Sequence, residues 1–135
     1  MRAAIELRAS SPPAGTVVLV NDGPEPVRVL RAGNEWGDEA LTFELDRGGR
    51  RTRVVRSPLA HTRNVPSSVP VPAGASHELQ FDLGDGTWAA GDPDLLGAPD
   101  GEIVAEYAVD RSPPILANDI WTGRVRSEPV RLGER

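Results

Sequence analysis

The stretch Leu41-Thr42-Phe43-Glu44-Leu45-Asp46-Arg47-Gly48-Gly49-Arg50-Arg51-Thr52-Arg53-Val54-Val55-Arg56 decides the class of fold. Leu41, Phe43 and Leu45 alternate with Thr42, Glu44 and Asp46, the period of two that gives a strand one apolar and one polar face. Gly48-Gly49 accepts positive φ and closes a hairpin. Arg51 to Arg56 returns as a second strand, and Arg53 and Arg56 flanking Val54-Val55 mark an edge guarded by charge.

The same signals recur on both sides. Ile5 and Leu7 alternate with Glu6 and Arg8, and Ser10 to Gly15 is a loop. Thr16 to Val20 is a continuous apolar strand, ended by the turn Asn21-Asp22-Gly23-Pro24. Pro26 to about Arg31 is the next strand, before a loop over Ala32 to Glu39. Residues 57–75 hold Pro58, Pro66, Pro70 and Pro72, each lacking a ladder donor, and read as a stiffened crossover with no regular central strand. His77, Leu79, Phe81 and Leu83 share one face of a further strand. Asp92-Pro93-Asp94-Leu95-Leu96-Gly97 has a capping residue, a proline at the first position and a terminating glycine, so it predicts one helical turn. Ile103, Ala105, Tyr107 and Val109 line one face of a strand over Glu102 to Val109; residues 110–119 form a loop, and Gly123 to Leu132 is the last strand.

With 135 residues the chain is one domain, 1–135, with a single core. Its 14 glycines and 13 prolines oppose a helical bundle. The expected fold is all-β: an antiparallel immunoglobulin-like β-sandwich of seven to eight strands with at most one short helical turn.

Missing residue types narrow the chemistry. There is no cysteine, which removes disulfides, thiolate nucleophiles and cysteine-ligated metals. All 15 basic residues are arginine, which removes Schiff-base chemistry and the lysine of a phosphate loop. A GC-rich coding bias explains the arginine preference and fits a bacterial protein. Met1 to Ser10 has no continuous apolar run, and the longest such run is Val17 to Val20, so a soluble, cytoplasmic protein without a membrane partner is expected.

The net charge of −5 argues against nucleic acid. Its distribution is uneven: Arg47, Arg50, Arg51, Arg53, Arg56 and Arg63 fall in 47–63 without an acid, while 64–110 holds nine acids and no arginine. That pattern predicts oppositely charged strands side by side on a solvated face, with a basic hairpin gripping an anionic partner as the rival reading.

The string from Val20 to Leu30, with Asn21, Gly23, Pro26, Val27 and Val29, followed by Pro72-Ala73-Gly74-Ala75 ahead of Phe81-Asp82-Leu83, resembles prokaryotic immunoglobulin-like modules. With Trp36-Gly37 and the Asp82-Leu83 to Trp88 segment, the order also resembles the β-rich domain preceding the catalytic unit of deuterolysin-type peptidyl-lysine metallopeptidases. The resemblance implies a β-sandwich and a non-catalytic role. The His-Glu-x-x-His helix of the catalytic unit has no counterpart, since the histidines are His61 and His77.

Reactive constellations are weak. His61 and His77 are separated by proline-rich loop, which disfavours zinc or copper. A Ser–His–Asp set drawn from Ser57, Ser67, Ser68 or Ser76 lacks a Gly-x-Ser-x-Gly elbow. Asp82, Asp85, Asp92, Asp94, Asp100 and Glu102 offer the hard oxygens calcium accepts, but not at EF-hand spacing. No cofactor and no metal ligand are expected.

Strands alternating up and down would bring loops 10–15, 32–39, 57–75 and 110–122 to one end, opposite 21–26, 47–50 and 84–100. The first rim gathers Trp36, His61, Arg63, Arg111, Asn118, Asp119 and Trp121, a mixture suited to recognition; Trp36 and Trp121 would otherwise plug the core there, as Trp88 would at the other end. The expected function is non-catalytic binding of a protein or peptide, at this rim or by strand addition at an edge. The alternatives are a small β-sandwich enzyme or ligand-binding protein with a pocket in the rim, and a calcium-stabilised module.

Overall fold

The computed structural model describes residues 1–8, 10–31, 35–56, 66–97 and 100–133, in an antiparallel, all-β sandwich. One layer is a three-stranded sheet in which β2 (Ala14–Val20) lies between β1 (Arg2–Arg8) and β7 (Ser76–Asp82). The other is larger. In it β9 (Gly101–Val109) and β4 (Leu41–Arg47) are central, β5 (Arg50–Arg56) and β8 (Trp88–Ala90) extend one side, and β10 (Gly123–Arg126) and β11 (Val130–Leu132) share the far edge of β9. A small ribbon of β3 (Val27–Leu30) and β6 (Ser68–Val71) completes the strands.

The alternation of β4 holds: Leu41, Phe43 and Leu45 are buried, as are Ile103, Ala105, Tyr107 and Val109 of β9. They pack with Ile5, Val17, Leu19, Leu79 and Phe81 of the smaller sheet. Phe43 and Phe81 lie 4.5 Å apart between ring centres. Trp88 closes on Phe43 at 5.4 Å, edge to face. Burying an aliphatic or aromatic side chain of this size contributes about 1.5–3 kcal/mol each, so this slab of paired faces holds the layers together. Gly15 is a packing requirement, because a Cβ there would meet the Glu6 carbonyl oxygen of β1 at 2.1 Å.

Several expectations need correction. The described strands number eleven rather than seven or eight. Among the described residues there are three short helices, not one: α1 (Glu35–Ala40), α2 (Pro93–Leu96) and α3 (Pro113–Ala117). Helix α2 is the expected turn, with Asp92 accepting from the Asp94 N–H and Pro93 leading. The final strand is broken, because three residues, 127–129, oppose two of β9 between the pairs Arg126↔Glu106 and Val130↔Ile103. Buried Ser127 repairs that bulge: its N–H donates to the Ala105 carbonyl and its hydroxyl accepts the Ala105 N–H, both at 2.9 Å. Strand β5 is not an edge, since Val54, Val55 and Arg56 pair with Ala90, Ala89 and Trp88. Trp88 is therefore a buried strand residue beneath Arg56, whose guanidinium carbon sits 4.2 Å from the ring, rather than an end plug. Part of the expected crossover is strand β6. It pairs only with β3, so it needs donors on one side and tolerates Pro70.

The two loop ends also need redrawing. The 10–13 segment packs against 83–84, with the Leu83 N–H donating to the Pro13 carbonyl at 2.9 Å. The 72–75 turn joins Asn21 instead, whose side chain donates to the Glu25 and Val71 carbonyls and accepts the Gly23 N–H. Of the expected association of 32–39 with 110–122, residues 32–34 lie outside the described residues, and the rest meets 110–115 where α1 and α3 border a common cleft. Among the described residues no helix is long and apolar enough to cross a membrane.

Candidate functional site

Helix α3 organises the end of the molecule where the candidate residues fall. Its start follows from Ser112-Pro113-Pro114: Ser112 is extended, and Pro113 brings a helical φ without a donor that would go unused. Its end is a Schellman turn. The Asp119 N–H donates to the Leu116 carbonyl at 3.2 Å and the Ile120 N–H reaches back to Ile115 at 3.3 Å. Ile115 and Ile120 are both buried, the apolar contact that accompanies this motif. Asp119 occupies the left-handed position, φ 55°, where glycine is usual and another L residue costs about 1 kcal/mol.

The helix separates two depressions. On one side, Trp36 of α1 meets Leu30, Val109, Ser112 and Ile115 around a cleft of about 220 Å³. On the other, Asp119 and Trp121 border a groove of about 630 Å³ with Leu116, Arg28, Pro26 and Pro70. Trp36 and Trp121 are thus not brought into one pocket. Both are half-buried and pack on the core, as a plugging role requires. Arg111 is exposed and borders neither depression. The Asn118 side chain donates to the Pro114 carbonyl at 2.7 Å, which commits it to closing the helix. His61 and Arg63 lie outside the described residues.

Trp121 is firmly mounted. Its N–H donates to the Arg28 carbonyl at 2.8 Å, and its ring stacks on Tyr107 at 5.8 Å with 24° between planes. Gly123, at φ 141°, leaves room for the indole, since a Cβ there would stand 3.0 Å from Cζ2. Tyr107 is itself fixed by the Leu30 N–H, which donates to its hydroxyl at 3.2 Å, and burial pushes its pKa up to about 12. A neutral, buried phenol thus supports the indole and ties the large sheet to β3.

The charges that line the groove form no ion pair with one another. The Asp119 carboxylate has no hydrogen bond or ion pair among the described residues. Arg28, which lines the same groove, is held by the Ser68 hydroxyl at 2.9 Å and the Ser68 carbonyl at 3.5 Å, with no acid. Leu116 is 50% exposed, the more exposed of two large apolar side chains that stand in solvent among the described residues.

Sequence reasoning missed Leu116, Arg28, Pro26 and Pro70. Reading 110–119 as loop hid Leu116; the Pro113-Pro114 pair, a helix start without a capping bond, was the available signal. Elsewhere the polar groups maintain the fold. Buried Thr52 accepts the Asp92 N–H at 2.8 Å, and Asp82 and Asp85 accept from the N–H groups of Gly84 and Thr87. Among the described residues no three of His, Cys, Asp and Glu gather as a metal site. No protein-family model matches the chain, and no curated protein matches it in sequence.

Proposed function

We propose that this chain is a non-catalytic, immunoglobulin-like module that binds a protein or peptide through the groove beside α3. One observation carries the proposal: Leu116 stands half in water beside a firmly mounted tryptophan, and among the described residues only Val55 is another exposed large apolar side chain. Exposing such a group costs solvation free energy that burial under a partner recovers, half of the roughly 1.5–3 kcal/mol of a full burial, since Leu116 is 50% exposed. An aromatic anchor, an exposed aliphatic and isolated charges are the usual ingredients of a recognition hot spot. Among the described residues the buried polar side chains Asn21, Thr52, Glu106 and Ser127 hold strands and turns, whereas the Ser112 hydroxyl and His77 Nε2 are buried without a partner.

The test is affinity capture from a lysate of the source organism with the wild-type chain and Leu116→Asp in parallel. The exposed position lets the variant keep its melting temperature. A polypeptide retained by the wild type and lost with the variant supports the proposal. Identical captured sets, or a small metabolite whose thermal stabilisation disappears in the variant, would replace it with another function.

A further inference from the structure

We infer that the groove takes an extended peptide in which a basic residue adjoins a bulky apolar one, the apolar side chain resting on Leu116 and Trp121 and the basic one meeting Asp119. This rests on the groove being the binding surface, as proposed above. Charge complementarity argues for the occupant. The five described arginines of 47–56 each lie within 4.0 Å of a carboxylate, through Asp100, Asp92, Asp46, Glu106 and Asp85. Asp119, which lines the groove with Leu116 and Trp121, has no such partner among the described residues.

Its backbone points the same way. The Schellman turn would form with less strain if residue 119 were glycine, and Asn118 already supplies the side-chain closure of the helix. The carboxylate is therefore not needed by the turn it occupies. A cationic side chain would satisfy it, and the net charge of −5 favours encounter with a basic segment. Arg28, which lines the same groove and is tethered to Ser68, disfavours a second cation beside it, so the basic residue is directed to Asp119 and a neutral or acidic group to Arg28.

A phage-displayed library of random dodecapeptides, selected on the immobilised full chain, tests this. The expected consensus places Lys or Arg beside Leu, Ile, Met or Phe. A synthetic consensus peptide should bind Leu116→Asp about 10- to 100-fold more weakly and Asp119→Asn about two- to fivefold more weakly, the range of an exposed ion pair. Selection on Asp119→Lys should replace the basic residue with an acidic one. An acidic or uncharged consensus that still requires Leu116 would overturn this inference and leave the groove as a binding surface. Peptides that bind Leu116→Asp as tightly as wild type, or no enrichment at all, would remove both.

Discussion

The outer face of the large sheet and the groove beside α3 are both charged, and they treat charge oppositely. On the sheet, Glu106 is only 4% exposed because Arg53, Arg124 and Arg126 close over it at 3.4, 3.6 and 3.1 Å. Asp46 receives Arg51 at 2.8 Å, and Glu44 lies 3.6 Å from Arg126. In the groove Asp119 and Arg28 face a shared space without pairing, next to an exposed leucine. Abundance of charge is thus a poor guide to function here. The dense face satisfies itself, whereas the sparse one leaves Asp119 and Arg28 without an ion-pair partner.

The largest effect expected from breaking this contrast comes from the support under the groove. Tyr107→Phe deprives the buried Leu30 N–H of its acceptor and should cost about 2 kcal/mol, measured by denaturant unfolding. An unchanged midpoint would mean that the phenol does not fasten β3 to the large sheet. Next, Glu106→Gln should cost about 1 kcal/mol, since its three arginine partners are themselves well exposed and screened. That loss should shrink in 1 M salt. If it did not, the face would be held by packing rather than by paired charge.

In the groove the sign reverses. Asp119→Gly should stabilise the fold by up to about 1 kcal/mol by relieving the left-handed residue, while weakening any basic ligand. A variant both less stable and unchanged in binding would show that the aspartate serves the turn. The smallest effect is one of pH. Burial first, and the nearby Arg31 second, hold the His77 imidazole below its ordinary 6.5. Between that depressed value and 6.5 the unfolded chain binds more protons than the folded one, so stability falls as pH drops through this window. His77→Gln should flatten the slope of melting temperature there. Asp85, held low through Thr87 and Arg56 against its own burial, and Asp22 act only below 3.8, so their acid limb should remain.

The contrast was half legible in the sequence. Alternation at Leu41 to Asp46 and Ile103 to Val109 located two central strands, because side-chain period survives packing. The opposed charge segments do meet, since Arg47, Arg50, Arg53 and Arg56 reach Asp100, Asp92, Glu106 and Asp85, but the acids registered directly against β5 are Glu44 and Asp46 of β4, outside the acidic segment. Strand β8, only three residues long, shows no period, and β6 hides behind proline. The groove was legible only through Asp119 and Trp121. The rest of its lining, Pro26, Val27, Arg28 and Pro70, lies 46 to 95 residues away in the chain from Leu116, Asp119 and Trp121, and Leu116 sits on α3, which was not foreseen as a helix. The rim expected from alternating strands failed to collect Trp36 and Trp121 because α3 stands between them.

The three tryptophans allow the central claim to be read directly from their indole N–H resonances in a two-dimensional ¹⁵N–¹H spectrum. On titration with the peptide or protein selected above, the Trp121 signal should move while those of Trp88, buried under Arg56, and Trp36, beyond α3, stay in place. A Trp36 signal that moves while that of Trp121 does not would contradict the assignment of the groove as the binding surface.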